Sequence, residues 1–238
     1  MPVNLKDQIV LVVGASSGIG RETAILFAKE GARVMAAARR EDRLKSLKEE
    51  YPSIEIAVAD AGDAAAMERL AAETTKRLGP IDILVYNTGT NIKDRSLTRL
   101  STGLWDMMLT TNLNGAYYIT HAVLPGMRER KAGHIIFVAS ISAMVPDVSG
   151  AAYQASKRGL VGLAHAIRVE ERENGIRTCA ICPGLVETEI LEKRPVKPPP
   201  EMLAKALQPG DVAEAILAVA KLPVRVAVPE MQILPTVL

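Results

Sequence analysis

The fold of this chain is decided by the stretch Ile9-Val-Leu-Val-Val-Gly14-Ala-Ser-Ser-Gly18-Ile-Gly20. Its five consecutive apolar residues predict a strand that is covered on both faces, as the strands of parallel sheets are. Gly14 would allow a tight turn off this strand, Gly18 a close approach of ligand to backbone, and Gly20 close packing of the next helix. That helix would point free N–H groups and the positive end of its dipole at a phosphate. The segment therefore predicts a first β–α unit with an anion site.

Beyond this unit, the chain alternates short β-branched runs with helix-length segments. Strands separated by helices predict right-handed β–α–β units and a parallel sheet. The predicted class is α/β, with a doubly wound parallel β-sheet, helices on both faces (a Rossmann fold) and a single domain over 1–238. The predicted strands are 9–13, 34–37, 54–58, 83–86, 134–139 and 176–182, with a last β-type run at 224–228. The predicted helices are 19–30, 41–50, 63–78, 103–129, 152–173 and 211–221.

Composition excludes several classes of function. The formal net charge is +2, and the basic residues are mixed with acidic ones, which argues against nucleic-acid binding and against a polybasic membrane contact. The sequence shows neither a secretory pattern nor a long apolar run, so a cytoplasmic protein without membrane association is expected. Cys179 and Cys182 lie three residues apart in a predicted strand, roughly 10 Å in extended chain. That spacing predicts two packed cysteines rather than a disulfide or a metal site.

The end of the second predicted strand bears on the choice of cofactor. An acidic residue at this place would bind the ribose hydroxyl of NAD and repel a 2′-phosphate. This chain has Arg39 and Arg40 there instead, and guanidinium groups bind phosphate through paired, charge-assisted hydrogen bonds. NADP(H) is therefore the predicted cofactor. A role for Arg40 in merely solvating the start of the next helix is an equally good interpretation.

A second group of polar residues predicts proton transfer. Tyr153 and Lys157 are four residues apart in a predicted helix, so they share one face. A neighbouring ammonium is expected to lower the pKa of the phenol, which could then exchange a proton with a carbonyl or alcohol oxygen. Ser140 ends the fifth predicted strand. Because ligands of open parallel sheets bind beyond the carboxyl ends of the strands, Ser140 should lie near the glycine-rich turn.

Taken together, these motifs resemble the short-chain dehydrogenase/reductase family over nearly the whole chain. The resemblance is carried, in order, by Gly14-Ala-Ser-Ser-Gly-Ile-Gly20, Asn87-Thr-Gly89, Trp105-Asp, Asn112-Leu-Asn-Gly115, Ser140, Tyr153-x-x-x-Lys157 and Pro183-Gly184-Leu-Val-Glu-Thr188. Ser17 is a departure, because some NADP-dependent members carry a basic residue at that place.

The resemblance implies a set of roles. Tyr153 would be the acid/base, Lys157 would lower its pKa and hold the nicotinamide ribose, and Ser140 would bind the substrate oxygen. Asn112 would anchor a water that links Lys157 to solvent. The cofactor would be held by Gly14, Ser16, Ser17, Gly18, Ile19, Gly20, Arg39, Arg40, Asp60, Ala61, Asn87, Gly89, Tyr153, Lys157, Pro183, Gly184, Val186 and Thr188. Asp60 would contact the adenine, and no metal is implied.

The hypothesis that follows is an NADP(H)-dependent oxidoreductase that interconverts a small ketone or aldehyde and an alcohol. Residues 145–150 and 189–207 would roof the substrate, the latter as a lid interrupted by prolines. Apolar stripes on helices 103–129 and 152–173 suggest a homodimer or homotetramer. Two alternatives stay open: reduction of a 3-oxoacyl thioester, for which Arg128, Arg130 and Lys131 would be a small basic patch, and non-catalytic NADP binding.

Overall fold

A computed structural model describes residues 2–237, which contain one seven-stranded sheet. All six strand pairs are parallel, and the spatial order is β3-β2-β1-β4-β5-β6-β7. The strands are β1 Ile9–Val13, β2 Arg33–Ala38, β3 Glu55–Val58, β4 Ile83–Tyr86, β5 Gly133–Val138, β6 Ile176–Pro183 and β7 Glu230–Ile233. The predicted doubly wound sheet is confirmed.

Helices cover both faces of this sheet. They are α1 Gly18–Lys29, α2 Glu41–Glu50, α3 Ala64–Leu78, α4 Thr102–Leu109, α5 Gly115–Arg130, α6 Ala151–Glu171, α7 Pro200–Leu203 and α8 Pro209–Lys221. Alternate residues of each strand face opposite sides. Leu11 therefore belongs to a core with α3, α5 and α6, whereas Val12 belongs to a second core with α1, α2 and α8. Both cores are mainly aliphatic, as the shortage of aromatic residues predicts.

The apolar stripes on α5 and α6 serve the core rather than a partner. The apolar residues of these stripes that are buried in the core are Ala116, Ile119, Val123, Leu160, Ala164 and Ile167. Leu113 and Leu163 are partly buried and pack against the same core. The amphipathic pattern therefore reflects packing on the sheet, and it carries no information about the number of subunits.

Two predicted elements are wrong in detail. The run 224–228 is not a strand, because the Arg177 guanidinium holds this segment as a turn by donating to the carbonyls of Leu222, Pro223 and Val226. The strand beside β6 is Glu230–Ile233 instead. The predicted helix 103–129 is divided into α4 and α5 by one π-helical turn, Thr110–Asn114.

The two cysteines of the chain lie in β6. Cys179 and Cys182 are free and buried within β6, as predicted. Burial raises the pKa of their thiols to about 12 and about 11, which keeps both protonated and unreactive at neutral pH.

Between residues 2 and 237, no helix combines the length and the hydrophobicity needed to cross a membrane.

Candidate active site

A cleft of about 490 Å³ opens beyond the carboxyl ends of β1, β4, β5 and β6. This is where an open parallel sheet binds its ligands, because the helices and loops diverge there. The predicted site residues that line it are Gly14, Ser16, Ser17, Gly18, Ile19, Arg39, Arg40, Ala61, Asn87, Gly89, Ser140, Tyr153, Lys157, Pro183, Gly184, Val186 and Thr188. Gly20, Asp60 and Asn112 lie behind or beside the cleft wall.

The turn after β1 requires its glycines. Gly14 has a φ of +92° and Gly18 a φ of +54°, which side chains with a Cβ rarely adopt. At Gly20 a Cβ would lie 2.2 Å from the carbonyl oxygen of Gly14, so only glycine lets α1 start this close to the strand. The Asn87 amide, at the end of β4, donates to that same carbonyl at 3.1 Å. The loop is thus fixed from both sides with its cleft-facing surface open.

Arg40 reaches over this loop. Its Nη2 donates to the hydroxyl oxygens of Ser16 at 2.9 Å and Ser17 at 2.6 Å, and its Nε donates to Ser16 at 3.1 Å. Arg39 also lines the cleft but makes no contact with the loop hydroxyls: it is two-thirds exposed and lies 3.9 Å from the carboxylate of Asp60. Arg40, which follows β2, therefore places a positive charge beside Ser17, where some NADP-dependent family members carry a basic residue. Of the two interpretations of Arg40, the structure favours the one at the phosphate loop over simple solvation of α2.

Glu189, which follows Thr188 in a short 3₁₀ turn, belongs to no sequence motif but contacts the phosphate loop. Its carboxylate accepts from Arg40 Nη1 at 2.7 Å and from the hydroxyl of Ser17 at 3.0 Å, and it lies 3.8 Å from Arg43. The Arg40 guanidinium holds the pKa of the Glu189 carboxyl below its ordinary value. An anion already sits on the donor set formed by the loop hydroxyls and Arg40, so this set suits a phosphate.

Tyr153 and Lys157 stand on the first turns of α6, facing the cleft. The Lys157 ammonium is buried, donates to the Val138 carbonyl at 2.9 Å and lies 5.9 Å from the centre of the Tyr153 ring. Ser140 follows β5 and lines the same cleft, and its hydroxyl donates to that of Ser142 at 3.2 Å. The three predicted chemical groups therefore converge on one cavity.

Burial dominates the electrostatics of this pair. It lowers the pKa of Lys157 to about 8. It also raises the pKa of Tyr153 above its ordinary value, although a hydrogen bond with the Ser140 hydroxyl acts in the opposite direction. Removal from water therefore determines the direction of this shift, while the charges of Arg194 and Arg95 oppose it, and the lowering of the Tyr153 pKa by Lys157 stays a prediction. The phenol stays protonated at neutral pH.

Asn112 lies in the π-helical turn between α4 and α5 and is fully buried. Its amide accepts from the backbone N–H of Thr90 at 2.7 Å and donates to the Thr90 carbonyl and to the Ser156 hydroxyl, both at 3.0 Å. These bonds fix the segment after β4. They place Gly89 so close to Lys157 that a Cβ there would lie 3.1 Å from the ammonium.

The segment after β6 closes the remaining side of the cleft. Gly184 N–H donates to the Ile233 carbonyl at 2.8 Å, and Val186 forms a bridge with Leu207. Thr188 packs over the phosphate loop, with its methyl group 3.2 Å from the place where a Cβ of Gly18 would be. Asp60 is half-exposed and binds the Gly62 N–H at 2.9 Å. It does not reach the cleft lining.

Charged side chains that the sequence motifs did not single out also line the cleft. They are Arg95, Asp147 and Arg194, which lie in loops, and Lys193, which ends the 3₁₀ turn after Thr188. Asp147 accepts from the hydroxyl of Ser142 and from the backbone N–H of Ser149 at 2.9 Å. Asp147, Lys193 and Arg194 belong to the segments 145–150 and 189–207 that are predicted to roof the substrate, but no motif marks them, or Arg95, individually.

Comparison with known proteins adds four findings. The family model described as short chain dehydrogenase matches residues 8–198. An uncharacterized oxidoreductase of Staphylococcus aureus is 31% identical, over 97% of this chain and 98% of its own. The closed form of serine dehydrogenase complexed with NADP⁺ is 35% identical, with a TM-score of 0.87 over 95% of this chain and 94% of its own. A variant of actinorhodin polyketide ketoreductase with NADPH is 31% identical, with a TM-score of 0.88 over 99% and 98% of the two chains.

Proposed function

The chain belongs to the short chain dehydrogenase family, and on that premise we propose that it is an NADP(H)-dependent oxidoreductase that interconverts a carbonyl compound and an alcohol. The observation that carries this proposal is the convergence of Tyr153, Lys157 and Ser140 on the cleft that the glycine-rich loop opens. Proton transfer and dinucleotide binding would then share one cavity, as hydride transfer to a carbonyl requires.

The residues present fit NADP(H). The hydroxyls of Ser16 and Ser17, with the guanidinium of Arg40, form an anion site that Glu189 already demonstrates with its carboxylate. The solved structures of serine dehydrogenase and of the ketoreductase variant contain NADP⁺ and NADPH, respectively. The end of β2 has no acidic residue that would repel a 2′-phosphate. Gly14, Gly18 and the N-terminus of α1 would hold the pyrophosphate.

When bound, NADPH supplies a hydride to the carbonyl carbon. The Tyr153 phenol, kept protonated by burial, gives its proton to the carbonyl oxygen, which becomes the hydroxyl of the alcohol. The Ser140 hydroxyl donates a hydrogen bond to that oxygen and orients it. The Lys157 ammonium stabilises the phenolate that remains, and its pKa of about 8 lets it exchange protons near neutral pH.

The first test measures initial rates with NADPH and with NADH against a panel of ketones, oxo acids and oxoacyl thioesters. At least one carbonyl compound should be reduced, with kcat/KM for NADPH at least about tenfold above that for NADH, because hydrogen bonds to a charged phosphate are strong. Arg40→Gln should lower this preference, whereas Arg33→Gln, at the opposite end of the same strand, should not. Equal values of kcat/KM for NADPH and NADH in the wild type would contradict the cofactor assignment.

Two alternatives would give different results. A non-catalytic NADP-binding protein would bind NADPH without oxidising it in the presence of any compound of the panel. A thioester reductase would favour the oxoacyl thioesters, and the similarity to a polyketide ketoreductase keeps this class in the panel. The small basic patch gives it no support: Arg128, Arg130 and Lys131 precede β5 and therefore lie at the edge of the sheet opposite the cleft.

A further inference from the structure

Two arginine side chains line the cleft beside Tyr153, and the proposed proton and hydride transfers use neither of them. Arg95 lies in the loop between β4 and α4, and Arg194 directly follows the 3₁₀ turn that contains Glu189. Burial and the nearby charge of Arg194 lower the pKa of Arg95 from its ordinary value. At Arg95, the repulsion by the positive charge of Arg194 outweighs the attraction by the negative charge of Asp147, so a further anion beside the two arginines would be stabilised.

Asp147 acts on both guanidinium groups through its charge but forms an ion pair with neither. Among residues 2–237, neither guanidinium has a carboxylate oxygen within 4.0 Å. Arg95 Nη2 donates to the Lys193 carbonyl at 3.0 Å, but its buried Nε has no hydrogen-bond partner in that part of the chain. Asp147 lines the same cleft, but its two oxygens are already bonded by Ser142 and Ser149. A buried donor without a partner destabilises the folded state, so the site favours an incoming acceptor.

The position of Arg95 is fixed rather than adaptable. Gly150, with a φ of +94°, begins α6 and touches Arg95 so closely that a Cβ there would lie 2.7 Å from the Cβ of Arg95. Tyr153 follows three residues later on the same helix. The base of the Arg95 side chain is therefore held against the start of the helix that carries the proposed proton donor, and its charge acts on Tyr153.

We propose that the substrate is a compact oxo acid, or the matching hydroxy acid, whose carboxylate binds Arg95 and Arg194. This inference rests on the proposed function and adds the substrate class. Guanidinium groups bind carboxylates through paired, charge-assisted hydrogen bonds, which would satisfy the free Nε and relieve the repulsion. The acid would be compact because Arg95 and Arg194 line the same cleft as Tyr153, so its carboxylate and its carbonyl group must both lie close to that residue.

The experiment compares each acid with its neutral ester. Reduction by NADPH is measured for pyruvate, acetoacetate and levulinate, and for the methyl ester of each. For at least one pair, kcat/KM of the acid should exceed that of the ester about tenfold or more. If neutral ketones and esters are reduced as well as the acids, the charge preference is overturned and the oxidoreductase function stands. If no carbonyl compound is reduced, both proposals fail.

Variants of the two arginines show whether these residues make the selection. Arg194→Gln and Arg95→Gln should each reduce the acid-to-ester ratio about tenfold, mainly through a higher KM for the acid. Arg99→Gln is the matched control, because Arg99 is exposed in the same loop as Arg95 and pairs with Asp94 at 3.2 Å. If Arg95→Gln fails to fold, Arg194→Gln decides alone, and an unchanged ratio in that variant overturns the assignment.

Discussion

At the level of single residues, the buried ammonium of Lys157 lowers the stability of the folded protein but is needed for the proposed reaction. Its ammonium is almost completely removed from water, and among residues 2–237 no carboxylate lies within ion-pair distance of it. Its charge is compensated only by dipoles such as the Val138 carbonyl. Burial without a counterion favours the neutral amine, which is why the pKa falls to about 8. The folded state therefore carries an electrostatic cost that the proposed reaction requires.

We expect Lys157→Met to abolish carbonyl reduction and to raise the free energy of unfolding. The lowering of the Lys157 pKa from 10.5 to about 8 corresponds to a destabilisation of the folded state by about 3 kcal/mol at neutral pH. The substitution removes this cost but also the hydrogen bond to Val138, which contributes about 1 kcal/mol. Because the folded-state pKa lies below the unfolded one, the unfolded chain binds more protons between these values. The wild type therefore recovers stability as pH rises from about 8 to 10.5, and the advantage of the variant shrinks.

Urea denaturation of wild type and Lys157→Met at about pH 7 and about pH 9.5 tests this expectation. Lys205→Met serves as the control, because Lys205 is exposed and its replacement should change stability little at either pH. A variant that is less stable than the wild type at the lower pH would show that the ammonium contributes favourably to folding.

The same scale shows what the sequence could predict of the site. Tyr153, Lys157 and Ser140 could be found because helical spacing and strand ends place them, and these are local rules. The raised pKa of Tyr153 could not be predicted, because it depends on how completely the surrounding loops exclude water. Glu189 could not be predicted either, since its partner Arg40 lies 149 positions away in the chain.

At the scale of elements, the segment after β6 connects the two halves of the cleft. Its 3₁₀ turn, Glu189–Lys193, carries a carboxylate to the phosphate loop, while Arg194 at its end lines the substrate side. The 3₁₀ turn and Arg194 lie within 189–207, which we propose acts as a lid. The carboxylate of Glu189 and the 2′-phosphate would compete for Ser17 and Arg40.

Glu189→Gln should therefore tighten NADPH binding. Glu189 and Arg40 are each about half exposed, so the pair contributes at most about 1 kcal/mol, and the dissociation constant should fall about two- to fivefold. Fluorescence titration with NADPH measures this change. Glu192→Gln is the matched control, because Glu192 lies in the same turn but pairs with Lys197. Weaker binding by Glu189→Gln would mean that the carboxylate supports the cofactor site instead of competing for it.

The elements that the sequence misplaced have physical causes of their own. The division of the helix over 103–129 depends on Asn112, whose amide satisfies both backbone groups of Thr90. One π-helical turn accommodates this contact without breaking the apolar periodicity, so the pattern alone predicts a continuous helix. The run at 224–228 has strand-like composition, but the distant Arg177 binds its carbonyls and β6 pairs with Glu230–Ile233 instead. In both cases a non-local hydrogen bond overrides local propensity.

At the scale of the whole molecule, the sheet order brings the chemistry together. The carboxyl ends of β1, β4, β5 and β6 are adjacent, although they are separated by up to 170 residues in the sequence. The sequence predicted this convergence because parallel strands joined by right-handed crossovers must all end at one edge. It could not predict the charge that remains in the cleft, which depends on the loops after β4 and β6.

The measurement that tests the central claim most directly pairs turnover with cofactor binding in Tyr153→Phe. Removing only the phenolic oxygen should leave the dissociation constant of NADPH close to that of the wild type. The rate of NADPH oxidation with the best carbonyl compound should fall about 10²- to 10⁴-fold, the usual contribution of a positioned acid. Oxidation by Tyr153→Phe at a rate within about threefold of the wild type would contradict the assignment of Tyr153 as the proton donor.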